Sequence, residues 1–317
     1  MQIGIDLGGT KIEAAALEGS AGIRLRRRLA SPRGDYEATI RRIRDLVQAV
    51  EAEFGQPGSV GVGIPGTISP HSGLVKNANS TWIIGRPLDR DLTEALGRPV
   101  RVANDANCFA LSEAVDGAAA GAEVVFGVIL GTGVGGGIVV RERPLVGRQA
   151  IAGEWGHNPL PWPEDDERPG PDCYCGKTGC LETFLSGPGL SRDHARVTGE
   201  TLSVEEISER AAAGDGAAAA SLARHAGRLA RGLATVINVV DPDRVVLGGG
   251  LSNMEQLYAE LPERLEGYVF SDTCTTPIVA AKHGDSSGVR GAAWLWRPEE
   301  LPLALGRAEG AVGPEDP

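Results

Sequence analysis

Four metal-ligating side chains fall within one stretch of the chain. His157, Cys173, Cys175 and Cys180 lie in residues 153–182, GEWGHNPLPWPEDDERPGPDCYCGKTGCLE. Thiolates with one imidazole are the donor set that tetrahedral Zn2+ prefers. The bland alternative is three inert core thiols with a histidine nearby by chance. Gly176 and Gly179 among the cysteines disfavour it, because they mark a turn rather than a core helix. Four protein donors close a zinc shell, so the expected ion is structural and fixes a loop. That loop carries two framing carboxylates, Glu154 and Glu182. His157 can serve twice, with one ring nitrogen on the metal and the other on a ligand hydroxyl.

A second set of residues suits phosphate chemistry. Asp6 ends an apolar alternation and opens DLGGTK, with Gly8, Gly9, Thr10 and Lys11 in the turn. Glycines bare the backbone N–H groups, and Thr10 and Lys11 add a hydroxyl and a charge. A plain hairpin turn is the alternative, and the flanking Asp6 and Lys11 weigh against it. GTGVGGG at 131–137 repeats the pattern with Gly131, Thr132 and Gly133. It satisfies G-x-G-x-x-G, yet a strand pattern follows it where a dinucleotide site needs a helix. Residues 170–178 end in Gly-Lys-Thr but lack the spacing of a P-loop. Gly248, Gly249 and Gly250 join a strand to a helix, which suits the flat approach of an adenosine and equally suits a close-packed turn.

Asp105 closes the set. It follows a strand at 100–103 within Asn104-Asp105-Ala106-Asn107 and opens a helix, the place where open α/β sheets put catalytic groups. It also suits a plain helix cap. Phosphoryl transfer needs held phosphates, a divalent metal and an oriented hydroxyl. The two glycine turns can hold the phosphates, and Asp6 can orient Mg2+ through water. Asp105 can take the hydroxyl proton. Asn79, Asn104, Glu154, His157 and Glu182 are suited to the remaining hydroxyls of a sugar.

The elements that must place these residues follow from periodicity. Strands are expected at 3–6 and 12–17 as a hairpin, then at 59–64, 100–103, 124–130, 138–141, 244–247 and 277–281. Helices are expected at 36–54, 87–96, 204–213, 217–240 and 286–296, after Ser252, and from Asp105 through Ala119. Residues 65–67, which include Gly66, read as a turn, and 75–82 (VKNANSTW) as a loop. Two glycine hairpins imply two similar α/β domains with a cleft between them. The boundaries are 1–118 plus 285–300 for a small N-terminal domain, 119–284 for a larger domain carrying the zinc loop, and 301–317 for a flexible tail.

Composition narrows the partners. The chain has 317 residues and a formal net charge of −11, which disfavours nucleic acid and anionic membrane surfaces. No run reaches the length of a membrane span, and the N-terminus lacks a signal-peptide pattern. A cytoplasmic protein is expected, with Cys108 and Cys274 as ordinary thiols.

DLGGTK, GTGVGGG and CYCGKTGCLE after GEWGH resemble the ROK family of bacterial sugar kinases and sugar-responsive repressors. The resemblance runs from residue 1 to about 297. It implies the actin/hexokinase-like (ribonuclease H-like) ATPase fold, two α/β domains with an ATP cleft, and a last helix returning to the first domain. It also implies ATP and Mg2+, structural Zn2+ on His157, Cys173, Cys175 and Cys180, catalytic base Asp105, and a homodimer. Gly66 joins Asn79, Asn104, Glu154, His157 and Glu182 as an expected sugar contact. VKNANSTW, ANDANCFALSEAVDGAAAG, AGEWGHNPLPW and KHGDSSGVRGAAWLW look most like bacterial fructokinases that also take mannose. The expected reaction is phosphorylation of D-fructose to fructose 6-phosphate. N-acetylglucosamine or glucose kinase of the same family is the alternative. A sugar-sensing regulator is less favoured, because the chain opens on the DLGGTK strand without a helix-turn-helix before it.

Overall fold

The computed structural model describes residues 1–19 and 22–306. In chain order its elements are β1 (Gln2–Leu7), β2 (Lys11–Leu17), β3 (Ile23–Ala30), α1 (Tyr36–Phe54), β4 (Ser59–Ile64), β5 (Thr67–Ile68), β6 (Val75–Lys76), α2 (Leu88–Leu96), β7 (Val100–Asn104) and α3 (Asp105–Val115). There follow β8 (Val124–Leu130), β9 (Val134–Val140), β10 (Arg143–Pro144), α4 (Leu181–Leu185), α5 (Gly187–Thr198), α6 (Val204–Ala212), α7 (Gly216–Val240), β11 (Arg244–Gly248), α8 (Gln256–Glu266), β12 (Ile278–Ala280), α9 (Ser287–Trp294) and α10 (Leu301–Ala304). The chain divides into two compact units. One comprises Met1–Ser112, Val146–Ile151 and the chain from Ser286, and the other Glu113–Leu145 and Ala152–Asp285. The division falls inside α3, not at residue 118.

The first unit is built on a five-stranded sheet in the order β3-β2-β1-β4-β7. β3, β2 and β1 pair antiparallel, and β1, β4 and β7 parallel. Strand side chains alternate between faces, and the sequences IGIDL and VGVGI use that alternation. Ile3, Ile5, Leu7, Val60, Val62 and Ile64 join the core with Ile40, Ile43, Leu46, Val47 and Val50 of α1. The opposite face offers Gly4 and Gly61, where a methyl would run into the backbone carbonyls of Val289 and Ala292 on α9. Trp296 Nε1 donates to the Val60 carbonyl at 2.8 Å, and Gln2 Nε2 donates to the Trp296 carbonyl at 2.6 Å. The edge strand β3 alternates weakly and carries the arginines of IRLRRRLA. Arg26 and Arg28 both bind the buried carboxylate of Glu13 on β2. A charged edge also discourages pairing with another chain.

The second unit repeats the plan, with sheet order β10-β9-β8-β11-β12. Here too an antiparallel hairpin, β8–β9, leads into parallel β11 and β12. The 25-residue α7 begins on Asp215, whose carboxylate accepts from Ala217 N at 2.8 Å. Leu222, Ala226, Leu229, Leu233 and Ile237 line its buried face. Arg228 and Arg231, also on α7, are buried and bind Glu167. Burial works against the charged form of Glu167, yet the two guanidiniums hold it down at about 2. His225 is fully buried on the same helix, and burial beside Arg228 pushes it down to about 4.

Several expectations are corrected. The glycine run 131–137 is only half a loop, because β9 starts at Val134. A side chain at Gly136 would sit 2.7 Å from Trp155 Cδ1, so this glycine is a packing position. α3 ends at Val115, not Ala119, because the Glu113 carboxylate turns the chain by accepting from Ala118 N at 2.8 Å. That carboxylate also accepts from Lys282 N and His283 N, at 2.9 and 3.1 Å. The 75–82 segment is not all loop: β6 pairs with β5, and Thr81–Ile83 form a 3-10 turn. Val75 holds the segment by backbone bonds to Arg86 and Gly85. In the expected tail, residues 301–304 form α10 with Ala304 buried, and Arg101 binds Glu300 just before it at 2.7 and 2.9 Å. Residues 307–317 lie outside the described residues.

Gly61→Ala is expected to destabilise by about 1–3 kcal/mol, measured by denaturant unfolding, whereas Gly216→Ala, which faces open space, changes it little. For His225, the unfolded imidazole takes its proton near 6.5 and the folded one only near 4. Its contribution is therefore full above pH 6.5 and is lost as pH falls to about 4, by ~3 kcal/mol. His225→Leu is expected to flatten the stability–pH curve in that window.

Candidate functional site

In the first unit β7 delivers Asn104 and α3 begins at Asp105. Ala106 N donates both to Asn104 Oδ1 at 2.9 Å and to Asp105 Oδ1 at 2.8 Å, which fixes the two side chains at the helix start. Asn104 Nδ2 donates to the Gly66 carbonyl at 3.3 Å, and Asn79 N to the Pro65 carbonyl at 3.2 Å. Gly66 cannot carry a side chain, since a methyl would lie 2.7 Å from the Lys76 carbonyl. Gly66, Asn79, Asn104 and Asp105 are thus linked through bonds to main-chain atoms at one end of the sheet.

Asp6 lies on β1 opposite Glu13 of β2. Burial, with Glu13 adding to it, pushes Asp6 up to about 6. A buried carboxylate in that state favours a nearby cation, so Asp6 fits a divalent metal. The Cys108 thiol is buried below, pushed well up by burial and by the Asp105 and Asp6 charges. Asp6 and Asp105 therefore flank one thiol. In the Gly8–Lys11 turn the Gly8 amide is used on the Lys11 carbonyl at 2.9 Å. Arg33 Nε donates to the Gly9 carbonyl at 2.8 Å.

In the second unit the β8–β9 turn is closed by Gly131 N on the Gly133 carbonyl at 3.0 Å. Val134 N donates to Glu182 Oε2 at 3.0 Å, and a side chain at Gly133 would lie 2.7 Å from that oxygen. Gly187 N donates to the Gly131 carbonyl at 2.8 Å. Gly249, with φ 84°, packs on the Leu130 backbone, where no side chain fits. Gly131, Thr132 and Gly133 thus meet Gly248, Gly249 and Gly250 at the ends of adjacent strands β8 and β11. The third glycine run is a close-packed turn, and it lies beside the 131–133 turn.

The 153–182 segment is seated by Trp155, which packs edge-on against Phe126 at 5.6 Å. Gly136 and Gly232 leave the space for its ring. Glu154 precedes the Trp155–His157 turn and is exposed. His157, Cys173, Cys175 and Cys180 then converge, with all four ligand atoms within 4.8 Å of one another. His157 Nδ1 lies 3.5 Å from Cys173 Sγ, and Cys175 Sγ lies 3.6 Å from Cys180 Sγ. A tetrahedron with metal–sulfur bonds of about 2.3 Å has S···S edges of about 3.8 Å; the 3.5 and 3.6 Å separations come near that, and the donor set is that of a four-coordinate metal.

The second duty expected of His157 meets a competitor. Its Nε2 lies 3.0 Å from the Tyr174 hydroxyl, and the two rings stack edge-on at 5.1 Å. Sequence reasoning missed Tyr174, although an aromatic between two metal ligands is a signal. It also missed that Glu182 supports the glycine turn, a contact 48 residues long in sequence with no local trace.

Comparisons with known proteins cover nearly the whole chain. A family model described as "ROK family" matches residues 2–299. An N-acetyl-D-glucosamine kinase of Yersinia pseudotuberculosis is 41% identical over 304 residues, 95% of this chain and 100% of that protein. Among solved structures, a ROK hexokinase from Thermus thermophilus superposes with a TM-score of 0.82 at 33% identity, over 93% of this chain and 97% of that one. A ROK family glucokinase from Streptomyces griseus, in complex with glucose and AMPPNP, gives 0.72 at 30% identity, over 92% and 97%. The two-unit α/β architecture is that of the actin/hexokinase-like ATPases. Among the described residues no helix is long and apolar enough to cross a membrane.

The cluster is expected to hold one metal ion per chain. Elemental analysis of the purified protein checks this, and Cys175→Ser is expected to lose the ion and expose the 153–182 segment to protease.

Proposed function

The chain belongs to the ROK family, and from that premise we propose that it is a sugar kinase transferring the γ-phosphoryl group of ATP to a hydroxyl of a hexose. The observation that carries the reading is the placement of Asp105. It opens α3 at the end of β7, its carboxylate set by Ala106 N and its neighbours Asn104, Gly66 and Asn79 linked through bonds to main-chain atoms. Asp105 takes the proton of the attacking hydroxyl, while Gly66, Asn79 and Asn104 orient the ring. Glu154, His157 and Glu182 hold further hydroxyls. The Gly9 and Thr10 amides, Lys11 and the turn at 131–133 hold phosphate oxygens, and Gly248–Gly250 receive the adenosine. Asp6 is the residue that would hold Mg2+, which when bound neutralises charge on the phosphates.

His157, Cys173, Cys175 and Cys180 would hold zinc. Four protein ligands leave it no open position, so its part is to fix the segment that presents Glu154, His157 and Glu182. Sugar binding at His157 Nε2 requires the Tyr174 hydroxyl to yield that nitrogen.

Two acceptors stand out. The kinase of Yersinia pseudotuberculosis carries N-acetylglucosamine in its name, which supports that sugar ahead of fructose and corrects the order expected from the sequence motifs. Fructose remains the second reading, supported by the VKNANSTW and KHGDSSGVRGAAWLW segments. A coupled ADP-release assay over N-acetylglucosamine, fructose, mannose and glucose, read as kcat/KM, ranks them. No turnover with any of them would sink the kinase reading. With the preferred sugar, Asp105→Asn is expected to lower kcat by on the order of 10²-fold or more and leave sugar affinity within a few-fold.

A further inference from the structure

We propose that Ser80 is a further phosphoryl-binding residue, its hydroxyl donating to an oxygen of the group in transfer at the Gly8–Lys11 turn. The proposal rests on the kinase reading above and names one more residue of that site. Ser80 is 1% exposed, and its Oγ has no hydrogen-bond partner. Burying a hydroxyl with nothing to bond is unfavourable and calls for an account. The position makes it more conspicuous. Ser80 precedes the Thr81–Ile83 turn, where a serine hydroxyl ordinarily caps the following amides, yet here it makes no cap bond.

The hydroxyl instead faces the phosphate-type turn, 3.7 Å from where a Cβ on Gly9 would stand. The opposite side of that turn is already fixed. Arg33 Nε holds the Gly9 carbonyl and the Lys11 carbonyl holds the Gly8 amide. Neither group is available to Ser80, so its partner comes from the ligand. Ser80 also follows Asn79, whose amide is bonded to the Pro65 carbonyl beside Gly66. The chain thus passes directly from a proposed sugar contact to the phosphate turn, and the hydroxyl lies where acceptor and phosphoryl group must meet. A neutral donor suits that place. It stabilises charge on a phosphoryl oxygen without competing with Asp105 for the proton.

The test uses Ser80→Ala in the full chain. Because the hydroxyl has no partner in the protein, its removal is expected to leave the thermal midpoint unchanged or slightly raised. With the preferred sugar, kcat is expected to fall on the order of 10²-fold, with KM for the sugar within about twofold of wild type. A binding arm separates this from the kinase reading. Mg·ADP with aluminium fluoride mimics the group in transfer, and fluoride-dependent tightening of ADP binding is expected in the wild type and lost in the variant. Mg·ADP alone is expected to bind both proteins equally. Retained kcat with retained tightening overturns the proposal. So does a raised KM for sugar at unchanged kcat, which assigns the hydroxyl to the sugar, and so does a parallel loss of stability and Mg·ADP binding, which makes Ser80 structural. Absence of turnover with every sugar defeats the kinase reading instead, while the fluoride arm still decides Ser80; a wild type that shows no tightening defeats the proposal.

Discussion

The candidate site depends on backbone coming closer to backbone than a methyl group allows. In the first unit Gly4 and Gly61 let α9 lie directly on β1 and β4, and Gly291 lies against the Cys108 carbonyl of α3. Cys108 in turn lies between the charges of Asp6 and Asp105. The same economy of side chains governs the second unit, where Gly136, Gly153, Gly156 and Gly232 leave room for the 153–157 segment and the Trp155 ring. Interiors packed to crystal-like density transmit a displacement rather than absorb it. A methyl at Gly61 therefore moves a helix, and one at Gly136 moves the Trp155 side chain that seats the metal-bearing segment.

That segment is long for an irregular stretch, and irregular chain of this length is ordered only where something fixes it. Three constraints do so at separate points. Trp155 anchors its start on Phe126. Glu167 anchors its middle on Arg228 and Arg231 of α7, a charge cluster kept ionised by its own pairing. The cysteine–histidine cluster and the short bridges Pro159–Cys180 and Asp172–Thr178 anchor its end. Removing one partner of a buried ion pair leaves the other charge stranded at a cost of several kcal/mol. The Glu167 anchor is thus as consequential for loop order as the metal ligands, although nothing in its local sequence distinguishes it.

Legibility in the sequence followed the range of the interactions. The hairpins, α1, α7 and the strand–acid–helix passage through Asp105 are set by neighbours in the chain, and their patterns announced them. The metal ligands were legible because cysteine and glycine are restrictive residue types. β3 was missed because IRLRRRLA is an edge strand whose arginines answer carboxylates elsewhere, Arg26 and Arg28 sharing the buried Glu13 and Arg27 reaching Glu53 of α1. α4 and α5 were missed because they are set by contacts to distant elements, such as Gly187 N on Gly131. The strand identity of residues 134–137 was hidden because glycine there reads as loop, while its cause is the bulk of Trp155, some twenty residues later in the chain. The partners of Glu182 and Tyr174 belong to the same class.

The way the sugar-facing groups are held bears on which part of the site discriminates among hexoses. Asn79 is held by its amide on the Pro65 carbonyl, and the Asn104 side chain bonds the Gly66 carbonyl, so each contact ends on a main-chain atom. Such groups suit the features that hexoses share. Discrimination between sugars that differ by one substituent amounts to only ~1–3 kcal/mol in an apolar pocket but far more where a buried polar group would be left unpaired. His157 is half-buried, and its Nε2 is paired with the Tyr174 hydroxyl, which a ligand proposed at that nitrogen would have to displace. Glu182 commits one carboxylate oxygen to Val134 N. Of the groups proposed to face the sugar, those on the 153–182 segment are thus held through side-chain contacts, and those of the first unit through contacts to main-chain atoms.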